Sequence, residues 1–241
     1  MLDHISLEKV LFLDIETVPH YPGFDDLPDR ERKLWEKKAR YITGEGESPG
    51  DVYERAGIYA EFGKVICISV GVYRRREGKG TLRLKSYFGE DEKAVLQGFS
   101  GLLNQMSGDR ELNLCAHNGK EFDFPYMARR MLINGMKLPA KLDVAGKKPW
   151  EVPFLDTMEL WKFGDYKHYT SLDLLAAVFD IPTPKDDIDG SQVAETFYRE
   201  KNLEKIVRYC EKDVLTVAQI FLRFQGKPLL SEEQVTSATE F

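Results

Sequence analysis

Residues 11–17 read Leu-Phe-Leu-Asp-Ile-Glu-Thr, LFLDIET in one-letter form, and the placing of the two acids in that run decides how the rest of the chain is read. The apolar stretch 10–15 predicts a short buried strand. Strand side chains alternate, so Asp14 and Glu16 project from the same face at its end. Two acids side by side repel, and ionising both against a buried sheet is costly. A divalent cation relieves that cost, and an oxygen-rich site of this kind suits magnesium or manganese. The spacing alone carries little weight, because it recurs at Asp29/Glu31 and Asp109/Glu111. Those pairs sit in charged, surface-like stretches, whereas Asp14 and Glu16 end an apolar strand.

Further along the chain, 64–73 (KVICISVGVY) is β-branched and predicts a strand, with the alternating run 82–88 as its neighbour. Between them, 74–80 (RRREGKG) reads as a solvated hairpin tip, a nucleic-acid patch being the alternative. Run 112–116 predicts a central strand and 154–155 a last one. Helical spacing marks an exposed helix over 28–41, carrying Leu34 and Trp35, and helices over 91–106, 122–133, 171–179, 191–201 and 203 to about 225. Pro125 falls in a first helical turn, where proline is tolerated. Asp51 is placed to cap a short helix reaching Ala60. Residues 231–241 read as a loose tail. The order of elements predicts a mixed sheet with helices on its faces. Ligands of such sheets gather at the carboxyl ends of the strands, which brings Asp14 and Asn118 together.

The 241 residues carry 34 Lys and Arg against 40 Asp and Glu, for a net charge of −6. That argues against a nonspecific nucleic-acid coat, which would be basic, but not against an enzyme whose acids bind metal. Cys67, Cys115 and Cys210 form no CxxC pair and read as small buried hydrophobes in a reducing compartment. Neither a spanning apolar run nor a signal peptide is expected, which predicts a cytoplasmic protein with no membrane partner.

Two further pieces carry chemistry. In His117-Asn118-Gly119-Lys120-Glu121-Phe122-Asp123, Asn-Gly marks a tight turn after a strand, and Asp123 opens the next helix. Asp123 can equally serve that helix as an N-terminal cap, and His117 reads as a satisfied, partly buried histidine rather than a ligand. In Tyr209-Cys210-Glu211-Lys212-Asp213, tyrosine and aspartate at i and i+4 share a helix face. The same spacing occurs at Tyr21/Asp25, Tyr87/Asp91 and Tyr169/Asp173. Only the last pair lies along the edge of a long apolar stripe (Leu203, Ile206, Val207, Cys210, Val214, Val217, Ala218, Phe221), half sheltered and facing a cleft. A helix-edge tyrosine with a solvated aspartate remains the plainer account of this pair alone.

LFLDIET (11–17), HNGKEFDFPYMARR (117–130) and YCEKDV (209–214), taken in series, resemble the DEDDy branch of the RNase H-like (DnaQ-like) 3′–5′ exonucleases. Within it the chain is most similar to the exonuclease domain of family B DNA polymerases. GKVICISVG (63–71), LDTMELW (155–161), SLDLLAAVFDIPTPK (171–185) and DIDGSQVAETFY (187–198) resemble a stand-alone subfamily of predicted bacterial exonucleases related to that domain. The resemblance covers residues 9–225. It implies an α/β, RNase H-like fold with a five-stranded mixed sheet flanked by helices. It implies a single exonuclease domain over 1–225, longer than minimal by an insertion at about 20–62, with 226–241 as a C-terminal tail.

By position, the family's metal ligands fall on Asp14, Glu16, Asp123 and Asp213. Its tyrosine falls on Tyr209, which would orient the attacking water. The sister branch has a histidine one residue further from the final aspartate, where this chain has Arg208. The resemblance also implies that Thr17 and Asn118 touch the terminal nucleotide and that Lys185 contacts a phosphate. It implies two magnesium or manganese ions about 4 Å apart. Single strands, of DNA with RNA as the alternative, would be hydrolysed from the 3′ end to nucleoside 5′-monophosphates. The rival expectation is a catalytically silent nucleic-acid-binding or scaffold module of the same fold.

Overall fold

The computed structural model describes residues 1–241 apart from residues 77, 107, 110, 166–168 and 183–187. In chain order the elements are β1 (Val10–Pro19), α1 (Asp29–Ala39), β2 (Gly63–Arg76), β3 (Lys79–Phe88), α2 (Glu92–Gln105), β4 (Asn113–Ala116), α3 (Asp123–Ile133), β5 (Leu155–Asp156), α4 (Thr157–Lys162), α5 (Leu172–Val178), α6 (Val193–Glu195), α7 (Leu203–Phe224) and β6 (Val235–Ser237). The strands form one mixed sheet in the order β5-β4-β1-β2-β3-β6. Strand β1 pairs antiparallel with β2 and parallel with β4; β3 pairs antiparallel with β2 and parallel with β6.

Alternation along β1 sorts the helices onto the two faces. Leu11, Leu13 and Ile15 enter a core with Val95, Phe99, Phe124 and Met127 from α2 and α3. Val10 and Phe12 enter a second core with Val214, Val217 and Phe221 from α7, where the Phe12 and Phe221 rings meet edge-on at 5.6 Å. Asp14 and Glu16 follow Phe12 at the same parity and therefore face α7, as expected of the motif.

Among the described residues the sheet has six strands, not five. Residues 231–241 are not a loose tail: Val235–Ser237 pairs with Leu82–Leu84 at the edge of the sheet. The hydroxyls of Ser237 and Thr239 donate to Glu211 of α7, as does that of Ser86 (2.9 Å). Edge strands leave backbone groups open to pairing, and this short parallel strand covers part of β3.

The expected insertion has its own small core. Trp35 is fully buried there with Leu27, Ala39, Val52, Tyr53 and Ala56, so α1 is not the simple exposed helix of the sequence reading. The Trp35 indole N–H donates to the Pro49 carbonyl at 2.8 Å. A six-residue 3-10 turn, Tyr53–Ile58, replaces the helix expected to reach Ala60. Asp51 does not cap it; its carboxylate accepts from the Ser48 backbone and hydroxyl. This turn is tied to α3 by Tyr126, whose hydroxyl donates to the Gly57 carbonyl at 2.7 Å, and by Arg130, which donates to the Ala60 carbonyl at 2.9 Å. Among the described residues no helix is long and apolar enough to cross a membrane.

Candidate active site

Strand β4 ends at Ala116, and its register with β1 covers only Val10, Leu11 and Phe12. Among the described residues no strand pairs with that edge of β1 from Leu13 onward, and the start of α3 lies beside it. The backbone N–H of Ile15 donates to Asp123 there. Asp123 is the first residue of α3, one position past the N-cap Phe122, and its carboxylate accepts from its own backbone N–H as well as from Ile15, so it serves the helix start and the cluster together. A break in the β1–β2 register between Glu16 and Thr17 locally twists the strand just past the two acids.

Asn118 holds the β4–α3 turn in the left-handed region at φ 60°, a conformation asparagine tolerates better than most residues. At Gly119 an added Cβ would lie 2.5 Å from that of Ala116 and 2.9 Å from the Phe124 ring, so only glycine fits. The turn is fastened by Asp156, which the sequence reading did not single out. Asp156 Oδ1 accepts from the backbone of Asn118 (3.0 Å), Met158 (3.0 Å) and Glu159 (3.3 Å), and Oδ2 from Lys120 (3.0 Å). One carboxylate thus caps α4 and sets the loop that precedes Asp123. The signal was the D-x-x-E run from Asp156 to Glu159, an N-cap pattern. His117 is satisfied as expected, with Nδ1 2.9 Å from the Thr157 hydroxyl and Nε2 2.9 Å from the Thr170 carbonyl. Asn118 Oδ1, by contrast, is buried without a hydrogen-bond partner.

Helix α7 brings the third piece. Its apolar stripe is buried from Ile206 to Phe221, and Tyr209 and Asp213 lie at its edge, partly exposed. The Tyr209 hydroxyl donates to Asp213. Cys210 does more than fill space: its thiol lies 3.4 Å from Asp14 Oδ2 and 3.5 Å from the Asp14 carbonyl. Donor atoms of Asp14, Glu16 and Cys210 all lie within 4.8 Å of one another.

Electrostatics gather the acids into one cluster. Burial, then the charges of Asp123, Asp213 and Glu16, push Asp14 well above the usual carboxylate range. Burial, then Asp213, pushes Glu16 up in the same way. Asp123, only 3% exposed, rises to about 7, mainly from burial, with the charge of Asp156 adding to it. The acids raise one another: Asp123, Asp213 and Glu16 act on Asp14, Asp213 and Asp123 on Glu16, and Asp156 and Asp213 on Asp123. Oxygen donors crowded in this way are what a hard divalent cation neutralises. Burial holds Cys210 as a neutral thiol, so it serves Asp14 as a donor rather than as a soft ligand. Burial and the nearby acids push Tyr209 far up as well, so it keeps its proton.

Glu16, alone of the four acids, borders a cleft of about 440 Å³ that is also lined by Thr17, Phe122, Arg55, Ile58 and Ser191. The 53–58 turn of the insertion therefore forms a wall of the site. Thr17 lines the cleft, and its hydroxyl donates to Tyr126. Lys185 lies outside the described residues.

Comparison with known proteins gives the chain's family and its fold. Residues 58–239 match a family described as predicted 3′–5′ exonucleases related to the exonuclease domain of PolB. A DNA polymerase of Pyrococcus glycovorans is 22% identical over 223 residues, covering 83% of this chain and 28% of the polymerase. The structure of a family B DNA polymerase from the hyperthermophilic archaeon Pyrobaculum calidifontis is similar with a TM-score of 0.51 at 17% identity, covering 89% of this chain and 24% of that one. That likeness shows the fold, a mixed α/β sheet of RNase H-like type as in a polymerase exonuclease domain. The chain spans less than a third of the length of the polymerases it matches.

Proposed function

Because this chain belongs to the family of predicted 3′–5′ exonucleases related to the exonuclease domain of PolB, we propose that it is a divalent-cation-dependent hydrolase of single strands. It takes DNA rather than RNA, works from the 3′ end and releases nucleoside 5′-monophosphates. The observation that carries this reading is the cluster of Asp14, Glu16, Asp123 and Asp213, drawn from three separate elements and raising one another's charge cost. One of its members, Glu16, lines a cleft of about 440 Å³.

The four carboxylates would hold two magnesium or manganese ions, which supply charge against the scissile phosphate and lower the pKa of bound water. Tyr209 is an orienting group rather than a base. Its proton is committed to Asp213, which leaves the phenol oxygen to accept from the attacking water. Cys210 and the Ile15 N–H hold Asp14 and Asp123 in place. Asn118 Oδ1, buried and unpartnered, accepts from a sugar or base donor of the terminal nucleotide. The Thr17 hydroxyl, engaged with Tyr126, shapes the cleft wall.

Single-stranded DNA, RNA of the same sequence and blunt duplex DNA, each incubated with magnesium, test the substrate. Mass spectrometry should find nucleoside 5′-monophosphates first from single-stranded DNA. Duplex should be slower, since a paired end must first unstack and unpair at a few kcal/mol. Faster loss of RNA, or of duplex, would overturn the substrate assignment.

A further inference from the structure

The candidate cleft does not end where a terminal nucleotide would. Beyond Pro19, Glu54 and Ala194, which line it, a second cavity of about 350 Å³ opens that shares those three residues. The two spaces lie in order along β1. The cleft borders Ile15, Glu16 and Thr17, and the second cavity takes over at Pro19 and continues past Pro22 to Phe24. Pro19 is five residues beyond Asp14, about 16 Å at strand rise. That is further than the one nucleotide separating a scissile phosphate at the acids from its 3′ oxygen. Given the exonuclease reading above, on which this step rests, the second cavity lies beyond the 3′ end.

Its lining says what it would take. Phe24, Tyr53 and Tyr198 line it; Tyr53 is buried and meets Phe24 edge-on at 6.2 Å. Asp51, Glu54 and Glu195 outnumber Arg199, which is itself paired with Glu195 at 3.2 Å. Aromatic faces stack on planar groups, while a surplus of carboxylates repels anions and favours neutral or cationic ones. Most of this wall comes from the insertion at 20–62.

We propose that this cavity receives a substituent carried on the 3′ oxygen of the substrate, planar and uncharged or cationic, so that the protein trims strands whose 3′ end is blocked. In the step, water oxygen bonds to phosphorus and the P–O3′ bond breaks. A proton passes to the leaving O3′ of the shortened strand, and the released 5′-monophosphate keeps the substituent on its own 3′ oxygen.

Three 5′-labelled oligonucleotides of one sequence test this, ending in a 3′-hydroxyl, a 3′-O-linked neutral aryl group, or a 3′-phosphate. First-turnover rates are compared for the full chain and for Gly50→Phe. Gly50 borders the second cavity and not the cleft, and an added Cβ there meets only ordinary contacts, 3.4 Å to Phe24 and 3.6 Å to Ser48. The wild type should cut the hydroxyl and aryl ends at comparable rates and the phosphate end more slowly. It should release an aryl-bearing nucleotide that mass spectrometry identifies. Gly50→Phe should keep the hydroxyl-end rate and lose about ten- to a hundredfold on the aryl end, the scale of one stacking contact. An aryl end left intact while the hydroxyl end is cut overturns the inference and leaves the exonuclease reading standing. Equal aryl-end cutting by wild type and Gly50→Phe also overturns it. If no end is cut at all, the exonuclease reading fails, and this inference with it.

Discussion

Asp156 offers the sharpest test of how the loop before Asp123 is built. Replacing it by alanine removes one acceptor that serves four backbone donors, at Asn118, Lys120, Met158 and Glu159. The two donors on α4 amount to a lost N-cap, about 1 kcal/mol. The two on the turn cost about 1–3 kcal/mol each if left dry. Both turn residues are partly exposed, so water recovers some of this, and relief of the repulsion with Asp123 recovers a little more. The sum is about 3–5 kcal/mol. At about 2–4 °C per kcal/mol for a chain of this size, the melting temperature should fall by about 6–20 °C. Asparagine should cost far less. With its carbonyl at the Oδ1 position it keeps three of the four bonds and loses only Lys120, about 1–2 kcal/mol. Urea unfolding of wild type, Asp156→Asn and Asp156→Ala in chelator measures both. A single-turnover cleavage assay should show Asp156→Ala slowed about a hundredfold, the scale of a misplacement near 1 Å. If alanine costs under about 1 kcal/mol, or asparagine costs as much as alanine, Asp156 does not organise the turn.

Tyr209→Phe should slow single-turnover cleavage by about 10²–10⁴-fold while costing about 1 kcal/mol of stability or less; an unchanged rate would reduce the tyrosine to packing. Asp14→Ala should abolish turnover and hold or raise the melting temperature of the metal-free protein, because it thins a crowded set of acids; a fall of many degrees would mean that Asp14 is structural. The acids of the site also set a pH dependence. Their folded-state values lie above the ordinary carboxylate range, Asp123 reaching about 7, so the stability they contribute is full below about pH 4 and is lost as pH rises through about 7. The gain in melting temperature on adding magnesium should therefore grow between about pH 5 and pH 8, and a gain that shrinks with rising pH would contradict the raised values.

Much of the site was legible in the sequence because each chemical residue sits at a fixed offset within one local element. The strand carries Asp14 and Glu16 at the same parity, and the Asn-Gly turn delivers Asp123 to a helix start. Tyr209 and Asp213 are one helical turn apart on α7. The bounds of α2, α3 and α7 follow the apolar period to within a residue or two. What escaped was non-local. Strand β6 spans three residues, and its register with Leu82 at Val235 joins positions far apart in the chain, which no local pattern encodes. Trp35 lies in a charged helix and is buried only because the chain folds back through Tyr53 and Phe62. Cys210 is apolar by composition, and its contact with Asp14 exists only once α7 crosses β1.

The most direct test of the central claim is a time course on 5′-labelled single-stranded DNA with magnesium, with excess chelator, and with Asp213→Asn in magnesium. A ladder that shortens one nucleotide at a time from the 3′ end is expected in the first reaction only. Equal cleavage in chelator, equal cleavage by Asp213→Asn, or internal fragments appearing first would contradict it.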